Sequence, residues 1–293
     1  MARERIGFQG EPGAYSHLAC KQARPHMQPV PYPSFEETFA ALRKGEVERA
    51  MIPIENPSGG RVADIHNLLP DSGLYIVDEH FQAIQHHLLA LPGASLDDIK
   101  SVRSHVQALS QCRRQLRQLG LSPVATADTA GAAKQVAADG DPQKAAIASR
   151  LAGEIYGLSI LRSHIEDHLE NTTRFVLMAD KPQHPASDRP CMSSIFFQVR
   201  SRPAALYKAL GGFATNGVNI TKLESYIVDS SFTVARFYAE FEGHVDSPQV
   251  GFALEELRFY SSVVTILGVY PAHPFRALGK AGGAADKPTG HSI

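Results

Sequence analysis

Cysteine is scarce in this chain: three in 293 residues, at positions 20, 112 and 191. The odd number and wide spacing exclude a disulfide framework and a zinc knuckle. Long apolar runs are missing too, so no segment reads as a membrane span. Neither sign of charge is in excess, with Lys plus Arg at 29, Asp plus Glu at 30 and a net charge of −1. Without a basic surplus, nucleic acid is not expected as a partner. "MARERIGFQG" carries two arginines with no apolar core behind them. It does not read as a secretory leader, and the cytoplasm is the expected compartment. Phosphate-cradling motifs are absent as well. Gly7, Gly10 and Gly13 do not fit GxGxxG, and no GK[ST] occurs, which argues against a nucleotide. No GxSxG elbow is present, and no cysteine has an evident partner for nucleophilic work. The 13 histidines are scattered. His86 and His87 would face opposite sides of a strand, and satisfied or surface histidines are expected rather than metal ligands. No cofactor and no metal are called for.

What is present is a globular composition, 43% hydrophobic and 20% charged, in a chain long enough for two domains or three lobes. The first half alternates strand, loop and helix. "RIGFQG" is a short strand, and Ser34 with Glu37 forms a capping box before Phe35, Phe39 and Leu42. "AMIPIEN" is a buried strand, followed by a glycine turn and a helix with Val62, Ile65 and Leu68 on one face. From Leu74 the period becomes two, as in a strand pair crossing between lobes. "SHVQALSQCRRQLRQL" reads as one helix with Ser104 at its N-cap and Leu109, Cys112, Leu116 and Leu119 as its core stripe. With no hairpin signal, the pattern predicts α/β with largely parallel sheets. "DKPQHPASDRP" is a linker. A second module follows in the order βαββαβ, a ferredoxin-like pattern, its middle strands joined by Asp229-Ser230-Ser231. The tail after Pro274 has few apolar residues and is expected to be disordered.

Open α/β sheets bind ligands at their strand ends. Gathered there are Glu55 and Asn56, Ser104, Gln111, and the pair Thr173 and Arg174 in "ENTTRFVLM". Two glycine turns at helix starts add a field that favours carboxylates. The set suits a cleft for a small, multiply anionic, oxygen-rich molecule. Each residue also has a plainer role: Ser104 as a cap only, Glu55 and Arg174 as ion-pair partners, Gln111 on a surface, Gly59-Gly60 as a turn. On composition and spacing, the reading stops at a small-anion α/β protein with a second module.

Taken together, "GFQGEPGAYSHLA", "IPIENPSGG", "SHVQALSQC" and "NTTRFVLM" resemble the motifs of prephenate dehydratase. "PAALYKALGGFATNGVNITKLES" resembles the ACT domain that follows in that family. The resemblance runs from about Ile6 to Pro271 in the expected order. It implies a two-lobed catalytic domain over 1–180, similar to the periplasmic binding-protein fold. Lobe 1 takes about 1–77 and 168–180, and lobe 2 about 78–167. A linker at 181–192, an ACT domain at 193–272 and a disordered tail at 273–293 complete the expected organisation.

The implied reaction converts prephenate to phenylpyruvate, water and carbon dioxide on the route to phenylalanine. By motif match Thr173 is the catalytic threonine, and Glu55, Asn56, Ser104 and Gln111 line the substrate cleft. Arg174 would hold a substrate carboxylate or pair with Glu55 or Glu170. The alternation of strand residues favours pairing. The family's GAL reads Ala204-Ala205-Leu206 here, and its ESRP reads Glu224-Ser225-Tyr226-Ile227. Leu206, Val218, Asn219, Glu224 and Ser225 are the implied phenylalanine contacts in a homodimer or homotetramer. Some family members begin with a chorismate mutase domain. With the first strand starting at Ile6, none is expected here. Arogenate dehydratase, and a non-catalytic amino-acid sensor, are the alternative readings.

Overall fold

The computed structural model describes residues 3–57, 60–61, 63–168, 170–199, 202–227 and 235–277. Two compact units emerge, residues 1–73 with 80–180 and residues 74–79 with 181–293, and each is described by itself.

The first unit begins β1 (Arg5–Gln9), α1 (Tyr15–Ala23), β2 (Gln28–Tyr32), α2 (Phe35–Arg43), β3 (Arg49–Asn56). Ile6, Phe8, Met51, Ile52 and Ile54 are buried and form the strands' share of the core. Helix α2 starts where the Glu37 amide donates to the Ser34 hydroxyl at 3.2 Å, and it buries Phe39 and Leu42. Strand β3 turns back into the short β4 (Gly60–Arg61), with Glu55 opposite Arg61 and Asn56 opposite Gly60. This is a hairpin where none was expected. Helix α3 (Ala63–Leu68) follows and buries Ile65. Gly59 and Val62 lie outside the described residues.

With β5 (Tyr75–Ala83) and β11 (Thr172–Ala179), the first sheet has the order β2-β1-β3-β11-β5, with β4 paired to β3. The second lobe holds β6 (His87–Ala90), β7 (Ser101–His105), α4 (Val106–Gln111), α5 (Arg113–Gln118), β8 (Ser122–Thr126), α6 (Thr129–Asp139), β9 (Lys144–Ala148), α7 (Arg150–Tyr156) and β10 (Ser159–Arg162). Its sheet has the order β10-β6-β9-β7-β8.

Both sheets are mixed rather than largely parallel. β1 runs parallel to β2 and β3, and β7 to β8 and β9, but β11 opposes β3 and β6 opposes β9 and β10. The double crossing between lobes accounts for this. A chain that passes from one sheet to the next without a helix to turn it arrives running against its neighbours. The expected long helix from Ser104 is also divided. Ser104 belongs to β7, and the helix breaks at Cys112, where φ is −109°. Leu109, Cys112 and Leu116 are buried and Leu119 packs beside them, so the apolar stripe survives the break.

In the second unit, β12 (Cys191–Val199), α8 (Ala205–Thr215), β13 (Ile220–Ile227), β14 (Ala235–Glu242), α9 (Pro248–Tyr260) and β15 (Ser261–Pro271) follow in βαββαβ order. The antiparallel sheet has the order β13-β14-β12-β15. Ile195, Phe197, Phe213, Phe241, Leu254 and Leu257 anchor its core against the two helices. The first strand starts at Cys191, two residues before the expected boundary. Residues 273–277, expected to be part of a disordered tail, hold a turn of helix instead, and Arg276 there grips the buried Glu79 carboxylate at 2.7 and 2.9 Å. Two short bonds to one buried carboxylate explain the order. Residues 228–234, with the Asp229-Ser230-Ser231 joint, and residues 278–293 lie outside the described residues.

Candidate active site

The strand ends of the first unit's two lobes enclose a cleft of about 320 Å³. Three ties join the lobes beside it. Ser149 Oγ donates to the Gly13 carbonyl at 2.6 Å, the Tyr156 hydroxyl donates to the Pro12 carbonyl at 2.8 Å, and Lys134 pairs with Glu11 at 3.0 Å. Gly13 itself could not be another residue at low cost. Its φ is +94°, and an added Cβ would stand 2.7 Å from Ala152 Cα.

One wall is a ladder of side chains drawn from distant parts of the sequence. The Tyr15 hydroxyl lies 2.8 Å from His86 Nδ1. His86 Nε2 lies 2.8 Å from Gln111 Oε1, which also accepts from Asn171 Nδ2 at 3.0 Å. Asn56 Nδ2 donates to Asn171 Oδ1 at 2.8 Å and to Thr173 Oγ1 at 2.9 Å. All six side chains line the cleft. Burial raises the Tyr15 phenol well above its ordinary value, with the thiol of Cys112 and the carboxyl of Glu166 adding to it. Burial also lowers the His86 imidazole, partly offset by Gln111 and Glu166.

Ala14, Tyr15 and Ser16, at the start of α1, also line the cleft. No side chain caps that helix, so its first-turn amides and the positive end of its dipole are available to an anion. Asp128 caps α6 through the Gly131 amide at 2.6 Å and also faces the cleft.

Of the expected site residues, Asn56, Gln111 and Thr173 meet in the cleft. Glu55 and Arg174 do not line it. They are cross-strand partners that pair at 3.1 Å, with Arg174 only 2% exposed. Strand alternation turns each away from its neighbour, Asn56 or Thr173, so Arg174 as a substrate contact is corrected to an ion-pair partner of Glu55. Ser104 is corrected as well. It is fully buried, its hydroxyl donates to the Ile147 carbonyl at 2.7 Å, and the N-cap of α4 is His105. Because Ser104 is in a strand, the helical spacing to Gln111 carries no shared face. Tyr15, His86 and Asn171 were missed as site residues. "GAYS" after the first strand and the Asn of "ENTTRF" were the available signals; His86 had none beyond its pairing with His87.

In the second unit, Val218 is buried, Leu206 is half-buried, and Asn219 and Ser225 are exposed. Glu224 pairs with Lys222 at 2.7 Å and accepts from the Tyr226 hydroxyl at 2.8 Å. Ala204, at the start of α8, holds φ +61° in the left-handed region.

The prephenate dehydratase family model matches residues 6–183. A Komagataeibacter europaeus protein, a bifunctional N-acyl-homoserine lactone acylase/prephenate dehydratase, is 49% identical over 278 residues, 94% of this chain and 99% of that protein. Arogenate dehydratase/prephenate dehydratase 1, chloroplastic, of Arabidopsis thaliana is 39% identical over 284 residues, 92% of this chain and 72% of that protein. Among solved structures, a prephenate dehydratase in complex with L-Phe from Arthrobacter aurescens is 27% identical. It has a TM-score of 0.83, covering 96% of this chain and 98% of that one.

Proposed function

The chain belongs to the prephenate dehydratase family, and from that premise we propose that the cleft converts prephenate to phenylpyruvate, water and carbon dioxide by way of Thr173. Prephenate carries a ring carboxylate, a pyruvyl carboxylate and a ring hydroxyl. The bond from ring to carboxylate breaks and its electron pair enters the ring. The carbon–oxygen bond opposite breaks, and hydroxide leaves with a proton as water. The ring becomes aromatic, so the driving force is internal and the enzyme's task is to hold two anions and assist the departing oxygen.

One observation carries this reading. Thr173 Oγ1 accepts from Asn56 at 2.9 Å, so its own proton is free to point into the cleft. A hydroxyl is a weak acid, so the donated bond lowers the barrier through orientation and charge stabilisation rather than by full early transfer. The uncapped start of α1 suits a carboxylate of the substrate. The activity is that of a lyase in the formation of L-phenylalanine. Residues 1–180 act as the catalytic domain and the βαββαβ module as the regulatory ACT domain.

We place the phenylalanine contacts at Leu206, Val218, Asn219, Glu224 and Ser225. Tyr207 on α8 and Phe252 and Phe259 on α9 are 81%, 59% and 72% exposed, apolar side chains that suit a homodimer or a dimer of dimers. No helix among the described residues is long and apolar enough to cross a membrane, and the three buried, free cysteines suit the reducing cytoplasm. Purified protein given prephenate and arogenate separately, with and without phenylalanine, tests these points. Phenylpyruvate from prephenate, formed more slowly with phenylalanine, is expected. Preference for arogenate, or no turnover of either, would overturn the substrate or the enzyme reading.

The likeness to the Komagataeibacter protein favours a second reading beside the first, an acylase activity on N-acyl-homoserine lactones. Release of free homoserine lactone from such a substrate is its test.

A further inference from the structure

We propose that His86 is a positioning residue for this reaction: its Nε2–H sets the direction of the amide ladder that leaves the Thr173 proton free for the departing oxygen. The inference rests on reading Thr173 as the donor in the proposed function.

A chain of amides can run in either direction. In the observed one, Gln111 Oε1 accepts from both His86 Nε2 and Asn171 Nδ2. Asn171 then presents Oδ1 to Asn56 Nδ2, and Asn56 donates onward to Thr173. Asn56 Nδ2 also faces the Thr172 carbonyl at 3.5 Å, a group that can only accept. In the reverse direction all three amides turn over. Thr173 then donates to Asn56 Oδ1, and its proton is no longer available to the substrate.

The end of the ladder selects between the two. The single Tyr15 proton has two acceptors within reach, His86 Nδ1 at 2.8 Å and the Gln85 carbonyl at 2.7 Å. If Tyr15 donates to Nδ1, the ring is neutral and its proton is on Nε2. If Tyr15 donates to Gln85, Nδ1 must carry a proton toward Tyr15. The ring that still donates to Gln111 is then the imidazolium. Nε2 carries a proton in both of these states and each holds the ladder in the observed direction, whereas a neutral ring protonated only at Nδ1 would turn it over. His86 is 2% exposed and its backbone amide donates to Glu166 Oε2 at 2.9 Å, so the ring has little contact with solvent and its backbone is anchored. Nothing in this role requires the imidazole to move a proton during turnover.

Two substitutions separate the role from acid–base chemistry. His86→Gln places an N–H near the position of Nε2, and His86→Leu does not. With prephenate as substrate, His86→Leu is expected to lose roughly 10- to 100-fold in kcat with KM nearly unchanged, the mark of an interaction made in the transition state. His86→Gln is expected to recover most of that loss. Wild-type kcat in the leucine variant overturns the proposal, and so does a glutamine variant as slow as the leucine one. Two-bond ¹H–¹⁵N spectra of histidine-labelled wild-type protein add a readout independent of turnover and of variant folding. A proton on His86 Nε2 supports the proposal, and a neutral ring protonated only at Nδ1 overturns it. If wild-type protein makes no phenylpyruvate, the functional reading fails, and the spectra still decide the direction of the ladder.

Discussion

Replacing Thr173 with valine removes one hydroxyl and keeps the β-branched shape that suits its place in β11. The hydroxyl accepts one bond from Asn56. Its loss leaves Asn56 Nδ2 with Asn171 Oδ1 and the Thr172 carbonyl still within reach, at 2.8 and 3.5 Å. The stability cost should therefore stay near the net value of a single bond, about 1 kcal/mol or less. The rate cost is of another size. A positioned proton donor contributes typically 10²- to 10⁴-fold, about 2.7–5.5 kcal/mol at 1.36 kcal/mol per tenfold. Steady-state kinetics with prephenate, beside urea unfolding of the same preparations, measure both. Thr173→Val should lose at least about 100-fold in kcat with an unfolding midpoint close to wild type. Thr173→Ser should retain more than valine, because a hydroxyl remains. If the valine variant keeps more than about a tenth of the wild-type kcat, the free Thr173 proton is not what assists the departing oxygen.

Gly13→Ala should destabilise by about 2–5 kcal/mol, from an L residue forced into the left-handed region and a Cβ pressed on Ala152. Urea unfolding checks this, and an unchanged midpoint would refute the close approach. Ala204→Gly should stabilise by up to about 1 kcal/mol, because φ +61° costs alanine more than glycine. Loss of stability on full-chain unfolding would count against that conformation. The His87 imidazole is pushed down to about 4, chiefly by burial, with Arg150 and His164 adding to it. Near neutral pH both folded and unfolded chains hold it uncharged. As pH falls from about 6.5 to 4, the unfolded chain takes up the proton first, so stability should drop by on the order of 1–3 kcal/mol and then level off. His87→Gln should lack this part of the decline. An identical slope in both proteins, measured by unfolding at each pH, would refute it.

Much of this molecule is written locally. The Ser34 cap with its buried Phe39 and Leu42, the switch to period two at Leu74 and the βαββαβ order after the linker depend on residues close in sequence. Short-range sterics, capping and amphipathic spacing decide them. The family motifs likewise mark Asn56, Gln111 and Thr173 without any coordinates. Tertiary structure decided which neighbours face the cleft. Asn56 and Thr173 point in while Glu55 and Arg174 pair outside it, because strand alternation separates adjacent residues only once the sheet's faces are assigned. It also decided that Ser104 is a core hydroxyl, since a one-element shift between strand and helix changes what a fixed spacing means. Local pattern likewise left the mixed sheets and the hold of Arg276 on Glu79 unread. The ladder from Tyr15 to Thr173 was beyond sequence reading for the same reason. Its members come from five separated segments, and a hydrogen bond depends on distance and direction in space, which spacing along the chain does not determine until the lobes have folded together.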